Sequence, residues 1–297
     1  MQYNTRAGDS KRITREYFDS LLIEMRHIDS VLPKTNLSLF GEEFDTPIMT
    51  AAFSHLDRLH KDGLAEMARG AKAANAVMWI GWGEDEELER VTATGAKTIR
   101  ITKPKKDNDL VFHDIAHAEK CGCIAVGIDP DHSYNSKGGY DVLRDVVMSG
   151  KTVDEIKQFV NATKLPFIIK GVLSVDDALK CMEAGVKGIV VSHHSGIMDY
   201  AVPPLMVLPE IVKAVNGKMK IFVDCGVDTG YDTFKALALG ADAVCLGRIV
   251  LDIFSKTGAE GVKDMINEMT AQLAGVMAKT CSPDITKIDS SLIRRLS

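Results

Sequence analysis

Several polar side chains stand directly at the ends of short apolar runs in this sequence. Lys170 ends the run PFIIK, and the adjacent His193 and His194 follow GIVVS. The pKa of imidazole lies near neutral pH, so a histidine suits proton abstraction, and a buried ammonium can stabilise negative charge that forms during a reaction. The complete set of run-ending polar residues is Thr50, Arg100, Asp129, Lys170, Ser192, His193, His194, Asp224 and Arg248.

The last two apolar runs carry a pattern that suits a phosphate group. Gly226 and Gly230 follow one run, and Gly247 with Arg248 follows the next. Glycines let backbone N–H groups approach a phosphate closely, and the arginine fork donates two parallel hydrogen bonds to it. The pattern predicts a phosphate-bearing ligand; the alternative is that Arg248 pairs with a surface carboxylate and the glycines only form turns.

Eight apolar runs rich in β-branched residues alternate with stretches of helical period. This alternation predicts βα units around a parallel sheet, and near-continuous hydrophobicity is typical of strands buried on both faces. Eight such units favour a closed (β/α)8 TIM barrel over a doubly wound open sheet, because no GxGxxG turn follows any run. The predicted strands are residues 46–53, 76–81, 96–102, 123–129, 166–171, 188–192, 220–224 and 243–247.

The helical stretches between these runs complete the predicted barrel, and two of them end before Gly185 and Gly240 in the C′ position. We predict one domain over residues 1–297, with an N-terminal extension at 1–45, the barrel at 46–255, and C-terminal helices and a tail at 256–297. Residues 130–151 form the longest irregular stretch, which indicates a lid or binding loop. The predicted helices are residues 14–22, 64–74, 112–120, 153–162, 175–184, 207–215, 229–239 and 259–279.

Composition limits the classes of function. Hydrophobic residues make up 45% and charged residues 26% of the chain, which is enough for a sizeable core. The net charge of −5 includes no basic block, so we expect no nucleic-acid partner. No apolar run is long enough to cross a bilayer, and we expect a cytoplasmic protein without a membrane partner. The spacing of the six cysteines fits neither a zinc site nor a redox motif, so we expect buried thiols and no metal.

The order of motifs in the second half resembles one known family. The segments IIKGVLSVDDALKCMEAGVKGIVVSHH, LPEIVKAV and VDCGV, followed by FKALALGADAVCLGR, are similar to the FMN-dependent 2-hydroxy-acid dehydrogenases and oxidases, such as glycolate oxidase and lactate oxidase. The resemblance is close over residues 166–248 and weak over 46–129. The resemblance implies FMN as cofactor, a small-molecule substrate, and a homo-oligomer, since members of this family form tetramers.

The resemblance also implies roles for individual residues. Lys170 matches the lysine beside flavin N1 and C2=O, and His194 matches the base that takes a proton from the substrate. Ser192 matches a flavin-contacting serine, Asp224 an aspartate that binds ribityl hydroxyls, and Arg248 the phosphate-binding arginine. The implied cofactor-binding set is Thr50, Ala51, Ala52, Arg100, Asp129, Lys170, Ser192, Asp224, Gly226, Gly247 and Arg248.

The sequence departs from the family pattern where the substrate should bind. Ile197 stands in place of the arginine that clamps the substrate carboxylate, and His193 stands in place of an asparagine. Arg100 and Thr102 replace a glutamine and a tyrosine, and Asp228 replaces a second phosphate-binding arginine. We expect His193, Ile197 and Thr102 near the substrate. A small 2-hydroxy acid is then a poor substrate, unless Arg100 or another cation has taken over the clamp.

Three functions remain open at this point. The first is an FMN-dependent oxidoreductase that acts on a CH–OH group, with His194 as base and Lys170 beside the flavin. The second is a redox-neutral FMN-dependent isomerase or epimerase, resembling type 2 isopentenyl-diphosphate isomerase, which shares the barrel and its phosphate site. The third is a flavin-binding barrel without catalysis, against which the presence of both Lys170 and His194 argues.

Overall fold

All eight predicted strands form in the computed structural model, which describes residues 6–296. They lie in one parallel sheet in which each strand is flanked by its chain neighbours. We number these barrel strands β1 to β8. Their bounds are Ile48–Thr50, Met78–Ile80, Thr98–Thr102, Ala125–Ile128, Phe167–Val172, Gly188–Val191, Lys220–Val223 and Ala243–Leu246.

The sheet closes on itself. The first strand β1 pairs in parallel with β8, with Cys245 opposite Met49. On its other edge, the N–H of Thr50 donates to the carbonyl of Val77 at 3.2 Å, next to β2. The predicted (β/α)8 barrel is therefore confirmed, and the doubly wound alternative is wrong.

Residues that alternate along the strands form two separate apolar clusters. Met49, Trp79, Phe222 and Cys245 pack together in one cluster, and the Trp79 and Phe222 rings meet edge to face at 5.3 Å. Their chain neighbours belong to the other cluster, which contains the inner faces of the helices. Both faces of the strands are thus buried, which explains why the runs are continuously apolar instead of alternating.

The described part of the chain contains nine α-helices, and side-chain caps begin several of them. Ser174 accepts a hydrogen bond from the N–H of Asp177, and Thr229 accepts one from Asp232, in the usual N-cap manner. Gly185 and Gly240 have φ of +82° and +103°, which confirms their predicted C′ positions. The helices, α1 to α9, are Ser10–Ser20, Gly63–Ala73, Asp85–Ala93, Asn108–Lys120, Val153–Asn161, Val175–Glu183, Pro204–Val215, Gly230–Ala238 and Ile249–Ala278.

The helix predictions differ from the structure in several places. Helix α4 begins at Asn108 instead of residue 112, because Asp107 caps it through the N–H of Asp109. The acidic helix α3 was missed because its sequence DEELERVTA shows only a short apolar stripe. The N-terminal helix begins at Ser10 instead of residue 14, because Asp9 caps it through the N–H of Lys11. The C-terminal helix begins at Ile249 and continues through a kink at Gly258, so the barrel boundary drawn at 255 falls inside α9.

Helix α1 of the extension and the long loop after β4 lie at the carboxyl end of the barrel. The hairpin of Leu37–Leu39 with Glu42–Phe44 lies at the amino end, where Glu42 pairs with Lys97 just before β3. Helix α1 contacts the carboxyl end through Thr14 and Arg15, and the segment after it pairs with the strand Ile293–Arg295. The loop after β4 is only partly irregular, because it contains a single 3₁₀ turn at Pro130–His132 and a short hairpin of Val142–Leu143 with Val146–Val147. Among residues 6–296, no helix is both long and apolar enough to cross a membrane.

Candidate active site

A cavity opens at the carboxyl end of the barrel, where the strand-end residues were expected to converge. Helix α1 covers one side of it. Many predicted site residues line this cavity, as do several that the sequence did not single out. The cavity is lined by Lys11, Thr14, Arg15, Ala51, Ala52, Phe53, Ser54, Lys103, Lys170, His193, His194, Ser195, Asp224, Cys225, Gly226, Val227, Asp228, Gly247, Arg248 and Ile249.

His194 is held in a strained turn directly after β6. Its φ is +48° and that of Ser195 is +60°, a region that side chains rarely adopt. The Ser192 hydroxyl accepts the His194 N–H at 3.0 Å and helps to fix this turn. Such strain is typical of functional positions, where it holds a side chain in one orientation. Here the turn directs the imidazole toward the loop after β4.

Asp131 orients the imidazole of His194, and the sequence analysis did not predict it as a site residue. The Nδ1–H of His194 donates to Asp131 Oδ2 at 2.9 Å. Burial alone would raise the pKa of Asp131, but the hydrogen bond from His194 and the nearby Lys170 hold this pKa below its usual value. Asp131 is thus ionised at neutral pH and leaves Nε2 as the nitrogen that can accept a proton.

A glycine makes room for this carboxylate. Gly171 lies at a bulge of β5 with φ of +98°, and a Cβ built there would come within 2.5 Å of the Asp131 carboxyl carbon. Any other residue would clash with the carboxylate and strain the backbone. The bulge therefore permits the contact between Asp131 and His194.

Lys170 is buried between two carboxylates beside the base. Its Nζ lies 3.5 Å from Asp224 Oδ2 and 3.2 Å from His194 Nδ1. Burial by itself would lower the pKa of Lys170, but Asp224 and Asp131 raise it above its ordinary value. Burial would likewise raise the pKa of Asp224, and Lys170 keeps it lowered. The pair is therefore ionised, and Lys170 carries a fixed positive charge at the centre of the site.

The part of the cavity lining that follows β7 and β8 fits a phosphate. Gly226, Gly247 and Arg248 lie together there, after β7 and β8. The guanidinium of Arg248 makes no side-chain hydrogen bond or ion pair with residues 6–296, and a Cβ built on Gly247 would meet nothing within 4 Å. An unpaired arginine beside open backbone matches the predicted phosphate site, so the residues present fit FMN.

Six predicted residues do not line the cavity, and one of them is Ser192, whose hydroxyl accepts the N–H of His194. The Arg100 guanidinium donates to the Gly81 and Gly83 carbonyls at 2.5 and 2.9 Å, so it is not positioned as a substitute clamp. Three more form hydrogen bonds elsewhere: Thr50 with the N–H of Trp79, Thr102 with Asp114, and Asp129 with Lys103. The last residue, Ile197, is 41% exposed and does not line the cavity.

His193 lines the cavity but contacts the N-terminal helix. Its Nδ1 accepts the N–H of Gly196 at 2.9 Å, so its Nε2–H donates to the Thr14 hydroxyl at 2.8 Å. Burial lowers the pKa of His193 and keeps the ring neutral. The side chain therefore joins α1 to the loop that carries His194. The predicted substrate contact of His193 has no geometric support beyond its place in the lining.

These features define a class, a barrel whose cavity fits a flavin nucleotide beside a histidine that is oriented by a carboxylate. The chain matches the family described as FMN-dependent dehydrogenase over residues 2–151 and 133–295. The protein belongs to this family and is an FMN-dependent oxidoreductase. The family assignment favours the first of the three functions considered above over the redox-neutral and non-catalytic ones.

Curated relatives and solved structures agree with this assignment. An L-lactate oxidase from Nostoc sp. is 31% identical, with 98% of this chain and 92% of that protein covered. A peroxisomal (S)-2-hydroxyacid oxidase from Arabidopsis thaliana is 28% identical over 92% of this chain and 83% of that protein. A mandelate oxidase variant solved with an FMN adduct matches with a TM-score of 0.89 and 26% identity, over 98% of this chain and 93% of the other.

Proposed function

We propose that this protein oxidises a CH–OH group of a substrate other than a small 2-hydroxy acid. Bound FMN supplies the two-electron acceptor. His194 Nε2 takes the hydroxyl proton, and Asp131 holds the ring and stabilises the imidazolium that forms. Lys170 would place a positive charge beside the bound cofactor, and Gly247 and Arg248 would hold the cofactor's phosphate.

The pairing of the buried lysines supports this substrate class. Lys103 and Lys170 are the buried cations that line the cavity near the base. Lys103 Nζ lies 2.5 Å from Asp129 Oδ2, and Lys170 is paired with Asp224. A substrate carboxylate placed there would have to compete with a carboxylate of the protein for each cation, at a cost in desolvation. A neutral hydroxyl compound needs no such cation.

Glycolate and lactate should therefore be poor substrates. We expect little or slow anaerobic bleaching of the flavin absorbance by either acid, and faster bleaching by members of a panel of neutral polyols and sugars. Rapid bleaching by lactate would contradict the proposal. Lys11 would then be the first residue to replace, by methionine, because it is the exposed cavity-lining lysine and lies next to Gly196.

The cofactor site leads to a separate expectation for Arg248→Ala. FMN should be bound non-covalently and be released intact by acid precipitation. Loss of a charge-assisted hydrogen bond of about 1.5–3 kcal/mol should weaken FMN binding by roughly 10- to 150-fold. Titration of apoprotein with FMN, followed by quenching of flavin fluorescence, measures this change. Arg58→Ala, at a 3₁₀ turn outside the cavity lining, is the control and should bind FMN normally.

Location and assembly complete the proposal. We also propose a cytoplasmic location, although the relatives include a peroxisomal enzyme. A homo-oligomer is supported by resemblance to the family and by exposed apolar side chains after α1. Met25, Ile28 and Leu32 are examples, with Leu32 93% exposed.

A further inference from the structure

A second imidazole faces the proposed base, and neither the motifs nor the proposed function uses it. His132 lies in the 3₁₀ turn after β4, and its Nε2 is 3.1 Å from Nε2 of His194. The two rings are nearly perpendicular, with centroids 4.3 Å apart. This contact involves the same nitrogen that would accept the substrate proton.

Both outer nitrogens of this histidine pair face carboxylates. His194 Nδ1 lies 2.9 Å from Asp131 Oδ2, and His132 Nδ1 lies 3.3 Å from Asp141 Oδ2. If each outer nitrogen carries a proton for its carboxylate, the two Nε2 lone pairs point at each other. One further proton between the two Nε2 atoms removes this repulsion, so the arrangement stabilises a pair that holds three protons.

The surrounding charges set the strength of this effect. His194 is faced by Asp131 and by Lys170 from β5. On the other ring, burial and nearby Lys103 lower the pKa of His132, whereas Asp129 and Asp131 act in the opposite direction. A lone His132 would therefore be neutral, and its neutral Nε2 can accept an N–H from His194.

We propose that His132 is a positioning residue for the base, sharing one proton with His194 between their Nε2 atoms until the substrate hydroxyl takes its place. This inference rests on the proposed role of His194. In the reaction, the hydroxyl proton goes to His194 Nε2, and bound FMN would supply the acceptor for the two electrons and the hydrogen lost from the carbon, so the balance is that of alcohol oxidation. Asp141 orients His132 so that its Nε2 faces the shared proton, and loss of His132 would remove this acceptor from the protonated base.

The proposal predicts a shift in the pH dependence of flavin reduction. His132→Phe keeps a ring without nitrogens. In this variant the acid limb of the pH profile, the range in which the rate of flavin reduction rises with pH, should move down by about 1 pH unit, because a charge-assisted hydrogen bond is lost. Asp141→Asn should shift it in the same direction by a smaller amount. His132→Gln should restore the limb toward the original position, because its amide oxygen can accept the His194 N–H.

A control and a second readout separate this inference from the proposed function. Tyr134→Phe changes an exposed side chain of the same loop and should leave the limb in place. Proton NMR titration of the His194 ring in the FMN-loaded protein without substrate should show the same shift in His132→Phe. An unchanged NMR titration would overturn the shared proton, even if no alcohol reduces the flavin. A shifted titration without any alcohol substrate would instead overturn the proposed function and keep the pair.

Discussion

Replacing His194 by glutamine should slow flavin reduction by roughly 10²- to 10⁴-fold, the usual contribution of a general base. Glutamine keeps a polar group of similar reach but cannot accept a proton at neutral pH. Flavin content should remain near that of the unaltered protein, because the phosphate end of the cavity lies after β7 and β8. Anaerobic stopped-flow reduction with the best alcohol of the panel, together with flavin stoichiometry, measures both properties.

The matched control for this variant is His113→Gln on helix α4. The His113 side chain is 60% exposed and pairs with Asp85 at the surface. Its replacement should change neither the reduction rate nor the flavin content. A His194→Gln protein that reduces its flavin within a factor of a few of the unaltered rate would rule out His194 as the base.

The positions of the site residues along the fold could be predicted because strand ends converge in a parallel barrel. Lys170, His194 and Asp224 each follow a buried apolar run, and all three line the cavity. Gly226, Gly247 and Arg248 were predicted because a phosphate group requires open backbone N–H groups and a cation. These inferences depend only on where a residue lies along a strand, and the hydrophobic pattern predicts that position well.

The direction in which a strand-end side chain points could not be predicted. Thr102 ends β3 and Arg100 lies in its middle, and their partners are Asp114 and backbone carbonyls, which pattern alone does not identify. Asp129 was predicted for the cofactor, yet it pairs with Lys103, and Asp131 contacts the base instead. A shift of two residues in an irregular loop decides which carboxylate reaches the histidine.

The local sequence pattern also could not predict which distant segments of the chain contact the cavity. Helix α1 reaches the cavity through Thr14, which contacts His193, and through Arg15, which donates to the Gly226 carbonyl. Arg15 also forms a paired contact with Asp232 and lies 3.8 Å from Asp228, the residue that replaces a family arginine. The charge reversal at Asp228 is therefore matched by a cation from another part of the chain.

The buried pair of Lys170 with Asp224 supports one more expectation. Lys170→Met should slow flavin reduction by roughly 10²- to 10³-fold, because the variant loses a buried positive charge that would stabilise the reduced cofactor. It should also destabilise the fold by about 3–5 kcal/mol, because Asp224 is left buried without its cation. The double variant Lys170→Met with Asp224→Asn removes both charges, so it should recover stability but not the reduction rate.

Lys103→Met provides the control for this expectation, because Lys103 is also buried, lines the cavity and is paired with a carboxylate. It should destabilise the protein by a similar amount, measured by chemical unfolding, and should reduce the flavin much faster than Lys170→Met. FMN affinity, measured by apoprotein titration, should fall less in either lysine variant than in Arg248→Ala. Arg248 would contact the phosphate charge, which is always present, whereas Lys170 would act on the negative charge that the flavin gains during the reaction. Equal loss of reduction rate in both lysine variants would show that burial of a lysine, and not the position of Lys170, is what the reaction requires.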